Sequence, residues 1–174
     1  EPVPDGFRPL IETAILASSV APTDPMEIAL HDACAGGAPG GKLAHAYGLR
    51  PELLAMSNIW DDGESLMIAA KGAPEAIAQL CRLPSSDLAP MMEAVEQMAT
   101  RGIRVLAVAR ATPHDRDWAA SQHGYDYTLA GLVGLADPLR TSVPMAVAEC
   151  RRAGIRVVMI TGDHAATARS IATQ

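Results

Sequence analysis

Five residues at a predicted strand-to-helix corner, Lys71–Glu75, have the chemistry to bind an anion. The run reads K-G-A-P-E; the apolar segment 65–70 before it has strand length, and the segment after it has helical periodicity. Pro74 falls in the first turn of that helix, where its missing N–H costs nothing. The N–H groups at a helix N-terminus are unpaired and attract anions, and a lysine ammonium adds to this attraction. The same residues would equally make an ordinary structural corner, so the motif by itself leaves both interpretations open.

A second set of residues has the chemistry of phosphate and metal-ion binding. Thr161, Gly162 and Asp163 follow the apolar run 155–160, which has the composition of a buried strand. A threonine hydroxyl can donate to a phosphoryl oxygen, and an aspartate can hold Mg²⁺ or its waters. Asp137 ends another predicted strand, and ligands of open α/β sheets bind at the carboxyl ends of strands. The alternative, in which Asp163 only caps the following helix, stays open.

The composition excludes several classes of protein. The chain has 174 residues, of which 49% are hydrophobic but only 3% aromatic, so its core must consist of aliphatic side chains and methionine. A net charge of -6 argues against a nucleic-acid surface, which needs clustered lysine and arginine. The three cysteines are widely spaced and fit neither a zinc site nor a disulfide framework, which suits the cytosol. No apolar run approaches the roughly 20 residues of a membrane helix and no signal peptide opens the chain, so we expect a soluble protein.

Periodicity and turn residues predict the order of helices and strands. Asp24 is a good N-cap, Pro25 takes the first helical position and Glu27 completes a capping box, so local physics alone accounts for these residues. Helices are predicted at 9–19, 25–35, 76–81, 89–100, 143–153 and from 165 onward. Strands are predicted at 42–47, 53–60, 64–70, 103–110, 128–136 and 155–160.

A change of pattern near residue 128 predicts two units of different fold. Residues 1–112 should form an α+β domain, with a six- or seven-stranded, mostly antiparallel sheet and flanking helices. The polar segment 113–126 is the predicted linker. Residues 127–174 should form a partial Rossmann-like α/β unit, because two of its segments are apolar throughout, as in parallel strands buried on both faces. The exposed sheet edges of such a unit predict self-association through it.

Four motifs, in order, resemble those of the P-type cation-transporting ATPases. Asp24–Glu27 looks like the family's D-P-x-E segment, and Lys71–Glu75 matches its K-G-A-P-E nucleotide-domain motif. Asp137–Arg140 and Gly154–His164 resemble the signatures on the hinge side of the phosphorylation domain. The four cover nearly the whole chain at family-like spacing, and the similarity is greatest to the calcium-pump-like branch. The resemblance implies a nucleotide-binding domain followed by part of a haloacid-dehalogenase-like phosphorylation domain.

The resemblance also implies roles for individual residues. Glu27 would face the adenine amino group, Lys71 would line the ATP pocket, and Gly72 would allow close approach. Arg104 would reach toward the phosphates, and Met56 would belong to the same nucleotide-binding set. The residues that would contact the transferred phosphoryl group and Mg²⁺ are Asp137, Thr161, Gly162 and Asp163.

This sequence departs from the family pattern at the adenine site. The family stacks adenine on an aromatic residue, whereas the matching position here is Leu49, with Tyr47 two residues away on the same predicted strand face. A lysine common shortly after it is replaced near Leu54. Adenine binding is therefore expected to be weaker or differently arranged. Because a lysine head at a strand end adds little packing, replacing Lys71 should weaken ATP binding and hardly affect stability.

The family's phosphorylated D-K-T-G-T motif and its later G-D-G-x-N-D segment are both absent from the sequence. The first hypothesis is therefore an ATP-binding fragment of a membrane cation pump, on the cytoplasmic face of a bacterial inner membrane, without turnover by itself. Its partners would be ATP and the remaining phosphorylation, actuator and membrane domains of the pump. A haloacid-dehalogenase-type phosphatase is an alternative, but it needs a D-x-D nucleophile motif, and we expect the sequence to have none. A non-catalytic nucleotide-binding regulatory module is the third hypothesis.

Overall fold

The computed structural model describes residues 3–34, 41–136, 139–162 and 164–173. The helices in these ranges are α1 Arg8–Leu16, α2 Pro25–Ala33, α3 Pro74–Leu80, α4 Ser85–Ala99, α5 Val143–Arg152 and α6 Ala165–Thr173. The strands are β1 Lys42–Tyr47, β2 Ala55–Asp61, β3 Leu66–Gly72, β4 Ile103–Ala111 and β5 Thr128–Ala136. Short 3₁₀ turns occupy Asp5–Phe7 and Gln122–Gly124.

The strands form one sheet in the order β1-β2-β3-β4-β5. The first three pairs are antiparallel, and their register places Tyr47 opposite Ser57, Met56 opposite Lys71, and Lys71 opposite Val108. The predicted antiparallel sheet with flanking helices is therefore confirmed. The strand number predicted for residues 1–112 is wrong, because the described part of that range contributes four strands, and the fifth strand of the sheet, β5, lies beyond it.

Helices α1 and α2 cover one face of this sheet. α1 buries its C-terminal turn, where Leu16 and Ala17 pack with Ala69 of β3, and Trp60 and Met67 pack against them at the edge. Side chains alternate between the two faces of a strand, so Trp60, Met67 and Ala69 share this face with Lys71. The helix pair therefore decides what surrounds the lysine.

The opposite face of the sheet carries an aliphatic core and a cluster of tyrosines. Ile59 and Ile68, paired in register, are fully buried there. The segment after β4 returns to this face, where Tyr127 donates to the Ser57 hydroxyl at 3.1 Å and Gln122 donates to the Ala55 carbonyl at 3.0 Å. The polar stretch predicted as a linker is thus tied to the first sheet by buried hydrogen bonds.

The C-terminal region differs from the prediction. Strand β5 was expected in the parallel sheet of a second unit, buried on both faces; this is wrong, because β5 neighbours β4 in the same sheet and four of its nine residues are exposed. The strand predicted at 155–160 is also wrong, since these residues have no regular structure and all are exposed. Backbone groups in a strand need a neighbouring strand to bond with, and no strand among the described residues pairs with this segment.

Two compact units make up the chain, and their limits do not follow the predicted domain ranges. The first comprises residues 1–90 and 106–133, and the second residues 91–105 and 134–174. Within the second, Thr167 of α6 donates to the Ile103 carbonyl at 3.3 Å, and Gly134 packs so closely on Ile103 that a Cβ there would lie 2.8 Å from the isoleucine Cγ2. The buried turn of α6 is in this way attached to the start of β4.

Candidate functional site

Lys71 and Glu27 form a buried ion pair on the helix-covered face of the sheet. The Lys71 ammonium donates to Glu27 Oε1 at 2.7 Å and to the Ser18 hydroxyl at 2.6 Å. The two charged side chains are only 7% and 12% exposed. These bonds use two of the three ammonium donors. The sequence-based expectation that the lysine head adds little packing is wrong, because the sheet and α1 enclose it.

Helix α2 places Glu27 at the pair. Asp24 caps the helix as predicted: its carboxylate accepts the backbone N–H of Met26 at 2.8 Å and of Glu27 at 3.4 Å. This cap fixes the first turn, on which Glu27 lies. The Glu27 carboxylate then turns toward the end of α1, where both of its oxygens lie 3.3 Å from the backbone nitrogen of Ser19.

The end of α1 is held by side chains of β2. The Asn58 amide donates to the carbonyls of Leu16 at 2.8 Å and Ser18 at 2.7 Å, and the Trp60 indole N–H donates to Leu16 at 2.8 Å. The last carbonyls of a helix have no intrahelical partner, so these donors satisfy them. Ser18, fully buried, completes the arrangement by donating its hydroxyl proton to the Ala14 carbonyl at 2.8 Å.

The two buried charges need an explanation beyond packing. A buried ion pair seldom adds stability over apolar side chains of the same size, because desolvation of two charges offsets their attraction. The pair and its serine therefore make the first candidate for a ligand site.

Gly72 has a structural reason to lack a side chain. The backbone at the start of β2 lies so close to Gly72 that a Cβ on this residue would be 2.6 Å from the Ala55 Cα and still nearer to the Leu54 carbonyl oxygen. The following residue, Ala73, donates its N–H to that same carbonyl at 2.9 Å. The group that comes close to Gly72 in this structure is thus the neighbouring strand β2.

Of the other predicted nucleotide-binding residues, Met56 is brought next to the ion pair. It lies opposite Lys71 in the antiparallel register and is half-buried on the same face. Leu49, at the position where the family has an aromatic residue, lies between β1 and β2 and is 62% exposed. Leu54 precedes β2 and is 57% exposed. These two leucines present apolar surface without being part of the core.

Tyr47 is not brought together with Lys71. Its register partner is Ser57, the neighbour of Met56, so its side chain points to the opposite face of the sheet. There the Tyr47 hydroxyl contacts that of Tyr125 at 2.9 Å and donates to the Ala119 carbonyl at 2.7 Å. Burial and the hydrogen bond to Tyr125 raise the pKa of the Tyr47 phenol. Tyr47 therefore belongs to a buried tyrosine cluster on the far face.

The remaining predicted residues lie in the second compact unit or outside the described residues. Arg104 is an exposed residue of β4 in that unit. Thr161 and Gly162 are exposed and follow the irregular segment 155–160. Asp137 and Asp163 lie outside the described residues.

Neither a metal centre nor a membrane span is found in the part of the chain that the structure describes. Its histidines, cysteines and acidic residues nowhere come together in a group of three able to hold a metal ion. No helix in the described ranges combines the length and apolar character needed to cross a membrane. The three cysteines are free thiols, of which Cys34 is buried and Cys81 and Cys150 are half-buried, and burial raises the pKa of the Cys81 thiol to about 11.

Sequence reasoning missed Ser18, Asn58 and Trp60. It extended α1 to residue 19, whereas the helix ends at Leu16 and leaves Ser18 beside the lysine. One signal was available: Asn58 is a polar residue in the middle of an otherwise buried strand, and a buried amide must find partners. Which partners it finds depends on tertiary structure, since Leu16 lies 42 residues earlier in the chain.

Comparison with known proteins identifies the family. Residues 54–142 match the family model described as P-type ATPase, cytoplasmic domain N. The chain is 39% identical over 131 residues to a protein named probable cation-transporting ATPase F of Mycobacterium bovis, a match that covers 68% of the chain and 14% of that protein. It is 41% identical over 124 residues to cation-transporting ATPase pma1 of Synechocystis, covering 64% of the chain and 13% of the relative.

A more distant relative gives a longer match. Plasma membrane calcium-transporting ATPase 4 of Bos taurus is 34% identical over 152 residues, covering 78% of the chain and 13% of the relative. The chain thus spans about one seventh of the length of these proteins. The region matched by the family model, 54–142, contains the K-G-A-P-E corner and the strands around it, and with it the lysine of the buried ion pair. On these grounds the chain belongs to the P-type ATPase family and corresponds to its cytoplasmic domain N.

Proposed function

We propose that this chain binds ATP at the site built around Lys71 and Glu27, as the nucleotide-binding part of a cation-transporting ATPase. The single observation that carries the proposal is the buried ion pair itself, a charged lysine and a charged glutamate 2.7 Å apart in the core of the domain. The family membership supports it, because the relatives are named as ATPases.

Each residue of the site contributes a distinct interaction in this proposal. The Glu27 carboxylate accepts hydrogen bonds, which suits an exocyclic amino group such as that of adenine. The Lys71 ammonium supplies a cation for the nucleotide. Met56 and Leu49 offer the apolar surface on which a base packs in place of the aromatic residue usual in the family. Arg104 would reach toward the phosphates.

In the whole protein we propose the reaction of a P-type pump, in which ATP hydrolysis through an aspartyl-phosphate drives cation transport. Asp137, Thr161, Gly162 and Asp163 would contact the phosphoryl group, and the aspartates would hold Mg²⁺. The chain itself contains no D-K-T-G-T motif, so it is proposed to bind ATP without hydrolysing it. The other partners would be the phosphorylation, actuator and membrane domains of a pump. The chain would lie on the cytoplasmic face of a bacterial inner membrane. The C-terminal part of the chain would be able to self-associate.

A haloacid-dehalogenase-type phosphatase is less well supported. Asp115-Arg116-Asp117 has the letters of its D-x-D motif, so the expectation that the sequence has none is wrong. Asp115 accepts the backbone N–H of Asp117 at 3.0 Å in an exposed turn of the segment between β4 and β5. A nucleophilic carboxylate would need to lie at the end of a strand with a phosphate-binding threonine beside it.

The experiment is a titration of the chain with ATP, followed by calorimetry or by chemical shifts. Hydrogen bonds to charged groups contribute roughly 1.5–3 kcal/mol, so Lys71→Ala should weaken ATP binding by about ten- to one-hundred-fold. The chain has only one other lysine, Lys42, exposed at the start of β1, so Lys42→Ala is the matched control and should bind ATP as the unsubstituted chain does. Equal affinity of the two variants would remove Lys71 from the site.

A further inference from the structure

We propose that Ser18 is a positioning residue for the nucleotide site, acting through Lys71. The inference deepens the proposed function and rests on it. Ser18 lies two residues past the end of α1, is fully buried, and has no place in the motifs that suggested the site. Its hydroxyl oxygen lies 2.6 Å from the Lys71 ammonium, slightly closer than the Glu27 carboxylate.

The direction of the two Ser18 hydrogen bonds is determined by its single proton. A hydroxyl has one proton to donate and lone pairs with which to accept. The Ala14 carbonyl, 2.8 Å away, can only accept, and the lysine ammonium can only donate. The proton of Ser18 is therefore held by Ala14, and its lone pairs are turned toward Lys71. The hydroxyl is prepared to receive an ammonium at one place.

The chain segment around Ser18 aligns both members of the ion pair. The Ser18 hydroxyl holds Lys71, while the next backbone N–H, that of Ser19, lies 3.3 Å from each oxygen of Glu27. Asn58 fixes this segment by donating to the Ser18 carbonyl at 2.7 Å. One rigid turn thus sets the position of the cation and of the acceptor with which it is paired.

Without the Ser18 hydroxyl, the ammonium would keep Glu27 as its partner but lose the second point that defines its position. A lysine side chain has several rotatable bonds, and holding it in one rotamer costs entropy that the serine bond offsets. An ATP molecule would then have to order the lysine on binding. We expect Ser18→Ala to weaken ATP binding by about 3- to 10-fold, the effect of one hydrogen bond.

The presence of only two lysines allows a direct test of this arrangement. The proton–nitrogen resonance of a lysine ammonium is seen by NMR when its protons exchange slowly with water, as they do when they are buried and hydrogen-bonded. At low temperature and mildly acidic pH, the chain should show one protected ammonium signal, from Lys71, while exposed Lys42 gives none. Ser18→Ala should abolish or broaden that signal. Ser18→Thr, which keeps the hydroxyl, should restore it, and Ser86→Ala, at an exposed position of α4, should leave it unchanged.

ATP titrations of a double-variant set separate positioning from simple stability. If Ser18 acts through the ammonium, Ser18→Ala should weaken binding in the unsubstituted chain but have no further effect in the Lys71→Met background. An equal loss in both backgrounds, or an unchanged ammonium signal in Ser18→Ala, would overturn the proposal. Should Ser18→Ala fail to fold, Ser18→Cys, of similar size but a weak acceptor, must show the same losses. If the unsubstituted chain binds no ATP, the proposed function fails and this inference fails with it, whereas ATP binding that is indifferent to Ser18 overturns this inference alone.

Discussion

Replacing Lys71 by methionine should destabilise the domain, because it leaves a buried carboxylate without its cation. Methionine has nearly the length of the lysine stem, so the change removes charge rather than volume. The Glu27 side chain is 12% exposed and keeps only the Ser19 N–H at 3.3 Å as a close donor in the described network. Removing one partner of a buried ion pair costs about 3–5 kcal/mol, and the small exposure and remaining donor of Glu27 place this case near the lower end, at about 3 kcal/mol.

Two further variants complete the test: one that removes the carboxylate instead of the ammonium, and one that removes both charges. Glu27→Leu should lower the stability by a similar amount, because it leaves the buried Lys71 ammonium with the Ser18 hydroxyl as its partner and without a counter-charge. The variant that combines Lys71→Met and Glu27→Leu removes both charges and should lie within about 1 kcal/mol of the unsubstituted chain, since apolar replacement of a whole buried pair is often neutral. The assay is urea unfolding followed by tryptophan fluorescence, which reports on half-buried Trp60, whose indole N–H donates to Leu16 at the end of α1.

An exposed ion pair of the same length serves as the control. Arg82 Nη1 and Asp126 Oδ1 are also 2.7 Å apart, but their side chains are 66% and 78% exposed. Exposed pairs contribute about 0–1 kcal/mol, so Asp126→Asn should have a small effect. The reasoning is refuted if Lys71→Met costs no more than Asp126→Asn, or if the double variant loses as much stability as the two single variants added together.

Two further predictions concern other parts of the same domain. Burial raises the pKa of the Tyr127 phenol to about 12 from its ordinary value of 10.0, so the folded chain keeps this proton at a pH where the unfolded chain releases it. The contribution of Tyr127 to the free energy of unfolding should therefore be constant below pH 10 and should fall as the pH rises from 10 to 12. Urea unfolding across that range should show a less steep fall in Tyr127→Phe. Gly72→Ala should lower the stability of the domain by on the order of 2–4 kcal/mol, because the added Cβ would overlap the backbone at Leu54 and Ala55. The control Gly63→Ala lies at a turn with open space around it and should cost only about 1 kcal/mol, for its positive φ. Equal losses of stability in thermal unfolding of the two variants would contradict the packing argument.

Local sequence determined most of the regular structure. The Asp24 cap followed by Pro25 starts α2, and the K-G-A-P-E run joins β3 to α3, because capping and proline effects act within a few residues. The same locality explains the motif-based recognition, which needs only the order of short segments. Lys71 and Glu27 could accordingly be singled out from the sequence as candidate site residues.

The partners of those residues were decided by tertiary structure. Lys71 meets Glu27 across 44 residues of chain, and Asn58 reaches the end of α1 across 40. Tyr47 and Leu49 were expected on one strand face, but β1 ends at Tyr47, so strand alternation no longer governs Leu49. The apolar segment 155–160 has strand composition, yet no strand forms there, because a strand exists only through hydrogen bonds to a neighbour. Sequence pattern therefore determines which residues can form an element or carry a charge, whereas the packing of distant segments determines which face they occupy and what they touch.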